Sequence, residues 1–361
     1  MIKKTVAILL VAFCLLIPVS GYAASEAKSI GIQLDDKDLK MPAQSVSDFY
    51  LNSLYLPLRT VCEAMGYKVG WSSKDKLITV EKTGKVIKID IKNYKISVDD
   101  HDYYLTDEYT TFGNSTYMSE GFFAEVFSLN LQWDKANNKI ILTSIKENPV
   151  KLACIKETSG TDALQVTLQY PQISGLDNAD VQKNLNSSFK QFAQDAKAEG
   201  MKYVDQNAAD GYYPSTSHKD ETYFDYRIKY NQNNILSVVF LDYQYTGGAH
   251  GSTIQSSHTY DLKTGNEYKM KDLFQDKVDY VSAINKSVKD TMQENNLTDV
   301  QLTPFETIST DQDFYISNNC VVVYFQEYEY FPYAAGIQEF ATDYLQLKDI
   351  LKPEFSFLAG N

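Results

Sequence analysis

The chain has 361 residues, of which 43% are hydrophobic and 22% are charged, and its formal net charge is −13 at pH 7. This length predicts about two to three domains, and the composition supports packed cores and excludes wholesale disorder. The acidic charge disfavours nucleic acid and anionic surfaces as partners and favours basic ones.

The amino terminus has the pattern of a secretory signal peptide. Lys3 and Lys4 precede an apolar run over 6–19, and small residues lead to a cleavage site after Ala23. The run is shorter than the ~20 apolar residues that a spanning helix needs, so permanent anchoring is the weaker interpretation. We therefore expect a signal peptide over 1–23, a secreted or cell-envelope location and no stable transmembrane span.

Three cysteines follow the signal peptide, namely Cys62, Cys154 and Cys320. An odd and sparse count in an exported protein does not form a disulfide framework. Small buried thiols are the favoured assignment, and a pair between Cys154 and Cys320 stays an alternative.

Residues 28–146 contain an internal repeat. The segment 55–80 passes through a Leu-Pro-Leu motif and Trp71, and the segment 117–142 follows the same order with Trp133, at an offset of 62 residues. The repeat predicts two copies of one supersecondary unit with a short helix in each, over 57–65 and 119–128. Each helix leads into a strand that carries the tryptophan, and we expect both tryptophans to be buried.

Two acidic segments stand upstream in the two copies. Residues 34–39 are echoed by residues 98–103, and in both cases the acids lie between alternating residues. Such segments predict hairpin turns.

This pattern resembles the copper amine oxidase N-terminal domain-like family of exported proteins in Gram-positive bacteria. The family signature is met by Leu56-Pro57-Leu58-Arg59, Gly66 and Trp71, whereas the second copy has Ser119 in place of the proline. The oxidase active site is not implied, because Asn93-Tyr94 is followed by lysine and the four histidines are scattered. No copper site, other metal site or cofactor is predicted.

Residues 150–361 show no internal repeat and mix helices with strands. One helix begins near Asn178, whose side chain caps it, and is expected to end at Gly200. A second helix is predicted over 278–295. The predicted strands cover 166–171, 223–230, 235–241, 314–316, 320–326 and 339–345. The expected class is α+β throughout: a tandem-repeat domain with antiparallel sheet, then a mixed sheet packed by two main helices.

The glycine-rich segment 243–251 separates two predicted strands. Gly247, Gly248 and Gly251 lie within five residues and predict a tight crossing of the chain, with His250 held in it. No cysteine, aspartate or glutamate stands at metal-ligand or triad spacing from His250, so a structural histidine is favoured over a catalytic one.

Four motifs give residues 150–361 a second resemblance. They are 170–176, 246–251, 260–265 and the segment Pro332-Tyr333-Ala334-Ala335-Gly336, and in this order they resemble the paired PdaC-like and RsiV-like domains. Those domains occur in lysozyme-sensing anti-sigma factors and in peptidoglycan deacetylases. Neither a cytoplasmic anti-sigma segment nor a deacetylase domain is visible, so the resemblance implies a sensing or binding ectodomain.

The aromatic stretch 328–336 has two interpretations. Its aromatic residues either alternate into a sheet or form a rigid loop that docks a partner. The residues assigned to partner binding are Tyr328, Tyr330, Phe331, Pro332 and Tyr333. Five acidic residues are expected to complement a cationic partner if they border this loop, namely Asp242, Glu327, Glu329, Glu339 and Asp343.

Three functions remain, and no catalytic residue is assigned. The first is non-catalytic capture of a basic lysozyme-type protein, as inhibitor or sensor. The second is a cell-wall glycan-binding module, which exposed tryptophans would favour. The third is an unrecognised hydrolase with His250 in a polar cleft, although the common hydrolase and phosphate-binding motifs do not occur.

Overall fold

The computed structural model describes residues 30–40, 49–50, 53–104, 109–134, 136–209 and 219–359. The predicted signal peptide lies outside these residues. The described part of the chain is a mixture of antiparallel and mixed sheets with helices, which confirms the α+β class.

The amino-terminal part, residues 31–144, is called the repeat region below. Its two helices are α1 (Leu58–Ala64) and α2 (Glu120–Phe127), both inside the predicted spans. Its strands are β1 (Gly31–Leu34), β2 (Lys37–Asp38), β3 (Phe49–Tyr50), β4 (Ser53–Pro57), β5 (Lys68–Ser72), β6 (Leu77–Lys82), β7 (Lys85–Asp90), β8 (Lys95–Val98), β9 (His101–Tyr104), β10 (Tyr109–Phe112), β11 (Ser115–Ser119), β12 (Leu129–Asp134) and β13 (Lys139–Ser144).

The two copies meet along an antiparallel pair of strands. Strands β4 and β11 pair so that Leu56 lies opposite Met118, which occupies the equivalent position of the second copy. The repeat region is therefore organised around a local two-fold relation. Both of these side chains are fully buried, and they share one core cluster with Cys62 and Phe123.

The acidic segments form hairpin turns, as predicted. The β1–β2 turn places Asp35 and Asp36 at positive φ, and the β8–β9 turn does the same with Asp99. The hairpins are exchanged between the copies. Strand β1 pairs in parallel with β13 of the second copy, whereas β8–β9 extends the first copy's sheet, whose order is β5-β6-β7-β8-β9.

The expectation that both tryptophans are buried was wrong. Trp71 is 51% exposed, and Trp133 is only partly buried against the core. Both lie on strands at sheet edges, β5 and β12. Trp71 lies opposite Ile78, which in turn lies opposite Ile89. The tryptophan is the outermost of these three residues, so its ring extends past the edge of the core.

The part from residue 151 to 359 is called the carboxyl-terminal half. Its helices are α3 (Ala179–Ala209), α4 (Tyr280–Glu294) and α5 (Tyr344–Leu347). Its strands are β14 (Lys151–Gly160), β15 (Leu164–Ser174), β16 (Asp220–Gln232), β17 (Ile235–Tyr245), β18 (Ser252–Asp261), β19 (Glu267–Tyr268), β20 (Phe314–Ile316), β21 (Cys320–Phe325) and β22 (Gln338–Asp343).

A six-stranded sheet, β14 to β19 in sequence order, forms the centre of this half. Only β15 and β16 are parallel, because the long helix α3 connects them as a crossover. Helix α3 packs on one face of the sheet, where Leu185 and Phe189 meet Leu236 and Phe240. This core agrees with the apolar stripe that the helical spacing predicts.

The prediction that Gly200 ends the helix was wrong, because α3 continues through Gly200 to Ala209. A Cβ at this position would lie 2.0 Å from Thr222 Oγ1 and 3.0 Å from Gln244 Oε1. The glycine therefore allows α3 to pack closely against β16 and β17, and it does not end the helix.

The other face of the large sheet is shared by two neighbours. Over β17, Val239 packs against Tyr315, Val322 and Tyr324 of the three-stranded sheet β20-β21-β22. The repeat region lies over β14 to β16, since Asp102 bonds to Lys156 of β14 and to Gln169 of β15, and His101 bonds to Asp225 of β16. The two main helices thus pack on different sheets, α3 on the large one and α4 on the small one, where Ser287 Oγ donates to the Ala341 carbonyl.

Cys62, Cys154 and Cys320 are free thiols, so the alternative pair of Cys154 and Cys320 does not form. Among the described helices, none combines the length and apolarity that crossing a bilayer requires. No group of three or more histidine, cysteine or acidic side chains in the described ranges could hold a metal ion.

Candidate binding surface

The glycine-rich segment is a hairpin loop rather than a crossing of strands. It joins β17 to β18, which pair with each other, and Gly247 and Gly248 have φ values of 92° and 90°. Gly251 serves a different purpose, because a Cβ there would lie 2.4 Å from the ring of Tyr243. The loop is thus shaped by backbone conformation at its tip and by close packing at its end.

The aromatic stretch 328–336 is a second loop, between β21 and β22, and it divides its aromatic residues between core and surface. Phe331 is fully buried, so its assignment as a partner contact is corrected. Tyr330 is half-buried and packs edge-on against Phe325, with ring centroids 4.7 Å apart. The alternative of a regular strand is also wrong, since the segment holds only an isolated bridge and a single 3-10 turn, Tyr333–Ala335.

The two loops meet at three aromatic rings, Tyr328, Tyr333 and His250, called the aromatic trio below. The His250 and Tyr333 rings are stacked, with centroids 3.6 Å apart and an interplanar angle of 15°. Tyr328 stands 6.2 Å from Tyr333 and is 56% exposed. His250 is exposed as well. The sequence identified all three residues but gave no sign that they touch.

One hydrogen bond orients the imidazole of His250. Its Nδ1 lies 2.8 Å from the carbonyl oxygen of Gly251. A carbonyl oxygen only accepts, so Nδ1 carries the hydrogen and the neutral ring keeps an acceptor lone pair on Nε2. The trio therefore offers flat apolar faces together with a hydrogen-bond acceptor.

Two acidic residues border the trio. Glu327 Oε2 accepts hydrogen bonds from Ser252 Oγ and from the Thr253 backbone, both at 3.3 Å, and so ties the two loops together. Glu329 accepts from the Gln326 backbone at 2.9 Å. These carboxylates give the rim of the surface a negative charge.

The other three acids assigned to a cationic partner are engaged elsewhere. Asp343 caps α5 at the far end of β22 by accepting from the Leu345 backbone. Asp242 accepts from Gln244, and burial raises the pKa of its carboxyl. Glu339 accepts from Gln255 Nε2 and from the Tyr315 hydroxyl. Only Glu327 and Glu329 remain as rim charges.

The hydrolase hypothesis receives no geometric support. His250 lies on an exposed loop rather than in a cleft, and no carboxylate of the described residues makes a hydrogen bond to it. A general base needs a group that orients it and a site for the reacting atom beside it.

Sequence reasoning missed a buried polar network between the repeat region and the carboxyl-terminal half. His101 Nε2 lies 2.6 Å from Asp225 Oδ1, and Arg227 Nη1 lies 2.6 Å from Asp225 Oδ2. Burial raises the pKa of Asp225, but Arg227 and His101 more than offset this, so the pKa lies below its ordinary value. The Arg227 guanidinium also lies over the ring of Tyr103 at 4.3 Å.

A signal for this network was present in the sequence. Polar residues recur at every second position of β16, at Tyr223, Asp225, Arg227 and Lys229, opposite a face that carries Phe224. Alternation on a long strand with charges on one face usually indicates solvent exposure. Here it marks a face covered by another module, beside a cleft of about 480 Å³.

The fold is that of a protein built from several modules, and comparisons with known proteins agree with the predicted fusion. Residues 33–142 match the copper amine oxidase N-terminal domain family. Residues 157–253 match the family described as deacetylase PdaC, and residues 271–344 match a family described as a protein of unknown function, DUF3298. The recognition of both halves is thereby confirmed.

Two curated relatives come from Bacillus subtilis. The peptidoglycan-N-acetylmuramic acid deacetylase PdaC is 26% identical over 184 residues, which are 50% of this chain but only 38% of that protein. The anti-sigma-V factor RsiV is 26% identical over 229 residues, which are 60% of this chain and 75% of that protein. Among solved structures, a DUF3298 family member from Bacteroides fragilis is 16% identical and covers 60% of this chain and 100% of its own, with a TM-score of 0.46.

Proposed function

We propose that this protein is a non-catalytic, extracytoplasmic cell-envelope protein that captures a basic lysozyme-type protein through the aromatic trio. The stacking of exposed His250 on half-buried Tyr333 carries the proposal, because two loops that match different families converge on a group of rings that reaches the surface. Exposed tyrosine and histidine rings held by rigid loops supply contact area at low entropic cost.

Charge supports a cationic partner. The chain has a net charge of −13, and Glu327 and Glu329 stand at the rim of the trio. Complementary charge at a rim accelerates association and selects the sign of the partner. The lysozymes sensed by the anti-sigma factors that this half resembles are such basic proteins.

The relatives support the location. One is named for its action on peptidoglycan and the other as an anti-sigma factor. The matches to the PdaC and DUF3298 families fall on the half that bears the trio. Together with the predicted signal peptide, this favours the cell envelope. The part that matches the deacetylase name is a minor share of that protein, so no deacetylase activity is carried over.

The test is a calorimetric titration of residues 24–361 with hen lysozyme, with a cell-wall lysis assay alongside. We expect saturable binding, inhibition of lysis, and at least tenfold weaker binding by Tyr333→Ala, since a central aromatic contact is worth about 2 kcal/mol. Tyr94→Ala is the control, because Tyr94 is an exposed tyrosine that lies in the repeat region, away from the trio. No heat and no inhibition would end this proposal.

Glycan binding by the repeat region is a second candidate, favoured by the exposure of Trp71. Its ring is 51% exposed, and Lys76 Nζ lies 6.0 Å from the ring centroid. An exposed ring beside a cation suits stacking on a sugar and contact with its polar groups. Co-sedimentation with insoluble peptidoglycan should fall on Trp71→Ala and persist in Tyr104→Ala; equal sedimentation of both variants would count against it.

A further inference from the structure

One contact between the repeat region and the carboxyl-terminal half is centred on the ammonium group of a lysine side chain. Lys229, on β16, forms an ion pair with Glu125 of α2, and the side chain of Lys229 is only 17% exposed. Burial lowers the pKa of Lys229, but Glu125 and then Glu339 more than offset this, so its pKa lies above the ordinary value. The Lys229 ammonium is therefore paired with Glu125, and the negative charge of Glu339 also stabilises it.

From Lys229 a chain of contacts continues into the small sheet. The Lys229 ammonium lies 5.4 Å from the ring centroid of Tyr315, which is 5% exposed. The Tyr315 hydroxyl donates to Glu339 Oε2 at 2.8 Å, and Gln255 Nε2 donates to Glu339 Oε1 at 2.9 Å. Both oxygens of this carboxylate are thus fixed by neighbours from different sheets.

The chain then reaches the loop of the aromatic trio. The Gln255 backbone donates to Gln326 Oε1 at 3.1 Å, and Gln326 Nε2 donates back to the Gln255 carbonyl at 2.8 Å. The Gln326 backbone in turn donates to Glu329. Gln326 stands two residues before Tyr328, so its position fixes where the loop departs from β21.

We infer that Glu125 is a positioning residue for the aromatic trio, acting through Lys229 and Glu339. In the wild type, the Glu125 carboxylate of the repeat region balances the charge of Lys229. The Glu339 carboxylate can then accept hydrogen bonds from Tyr315 and Gln255. Without it, the ammonium keeps the electrostatic attraction of Glu339, whose carboxylate bonds to the hydroxyl of the same Tyr315 ring that lies beside Lys229. A buried charge left short of a partner draws strongly on the next one. Glu339 then turns from Gln255, and the Gln326 anchor of the loop loosens.

This inference gives the repeat region a role in binding, and it rests on the proposed function only for its affinity readout. Its structural readout is hydrogen–deuterium exchange in residues 326–336, which needs no ligand. In Glu125→Gln we expect faster exchange in that loop and about tenfold weaker lysozyme binding. Glu125→Asp keeps the charge and should restore both.

The matched control is Glu120→Gln, which removes the same charge at the start of the same helix and should leave the loop and the affinity unchanged. Tyr315→Phe is a second variant, which removes only the hydroxyl bonded to Glu339 and should also speed exchange in 326–336. If Glu125→Gln alters exchange near residues 225–229 but not in 326–336, the inference is overturned. If exchange changes but the wild type never binds lysozyme, the inference stands and the proposed partner falls.

Discussion

At the scale of single residues, Tyr344 is enclosed in the carboxyl-terminal core with a hydroxyl that has no hydrogen-bond partner among the described residues. A buried polar group without a partner costs about 1–3 kcal/mol. We therefore expect Tyr344→Phe to leave the free energy of unfolding unchanged or raise it by up to that amount, as measured by urea denaturation.

Tyr324→Phe is the control for this prediction. Tyr324 is equally buried, but its hydroxyl donates to Ser257 Oγ at 2.9 Å. Losing this bond should lower the free energy of unfolding by about 0.5–1.5 kcal/mol. If the two variants lose stability equally, then Tyr344 has a partner in solution.

Sequence reasoning found the members of the aromatic trio but not their contact. Tyr333 and His250 are far apart in the chain, and the packing of the small sheet on the large one brings them together. The sequence also did not show that Tyr328 is exposed whereas Phe331 is buried. Side chains in this loop do not alternate between core and solvent as they do along a strand. The direction of each ring follows from local backbone, such as the positive φ of Tyr328.

At the scale of elements, Gly200 in the middle of α3 permits a specific test. Alanine is favoured over glycine in a helix by about 1 kcal/mol, but here a Cβ would clash with Thr222 Oγ1. Overpacking costs about 1–3 kcal/mol, so Gly200→Ala should be net destabilising in thermal or urea unfolding.

The matched substitution is Gly121→Ala on α2. The nearest atom to a Cβ at that position is Ser119 Oγ, at 3.7 Å, so the added methyl has room. This variant should gain up to about 1 kcal/mol from helix propensity alone. A stabilised Gly200→Ala would show that α3 stands farther from β16 than the structure places it.

Most elements of this fold could be predicted from local pattern. The period of 62 residues located α1 and α2, and acidic turn residues located the β1–β2 and β8–β9 hairpins. The error at Gly200 has a tertiary cause, because a glycine that ends a helix and one that lets a strand approach look alike in sequence. The exchange of hairpins could not be predicted for the same reason, because the partner of each strand lies far away in the sequence.

At the scale of the whole molecule, Asp102 joins the repeat region to the carboxyl-terminal half and makes their contact sensitive to acid. Its carboxylate accepts from Lys156 of β14 and from Lys95. Burial alone would raise the pKa of Asp102. The hydrogen bonds from Lys156, Ser97 and Lys95 together have the larger effect and lower the pKa to about 2. Because this pKa is lower in the folded than in the unfolded state, the ionised carboxylate stabilises the fold above about pH 4. This stabilisation is lost as the pH falls to about 2.

Asp102→Asn should therefore lower the melting temperature at pH 6, and its difference from the wild type should shrink between about pH 4 and 2. Melting followed by circular dichroism across this range measures the effect. Asp100→Asn, at an exposed neighbouring position, should follow the wild type at every pH. A deficit of Asp102→Asn that stays constant with pH would mean that the loss is steric.

The exchanged hairpins of the repeat region also bear on the order of events in folding. The sheet that contains β1 is completed only when β13 arrives, more than a hundred residues later in the chain. Closing so long a loop costs entropy before any pairing offsets it, and such contacts form slowly. Until β13 is synthesised, β1 has only the two-residue strand β2 as a partner among the described strands of its sheet. Neither copy, cut out by itself, would therefore hold a complete sheet.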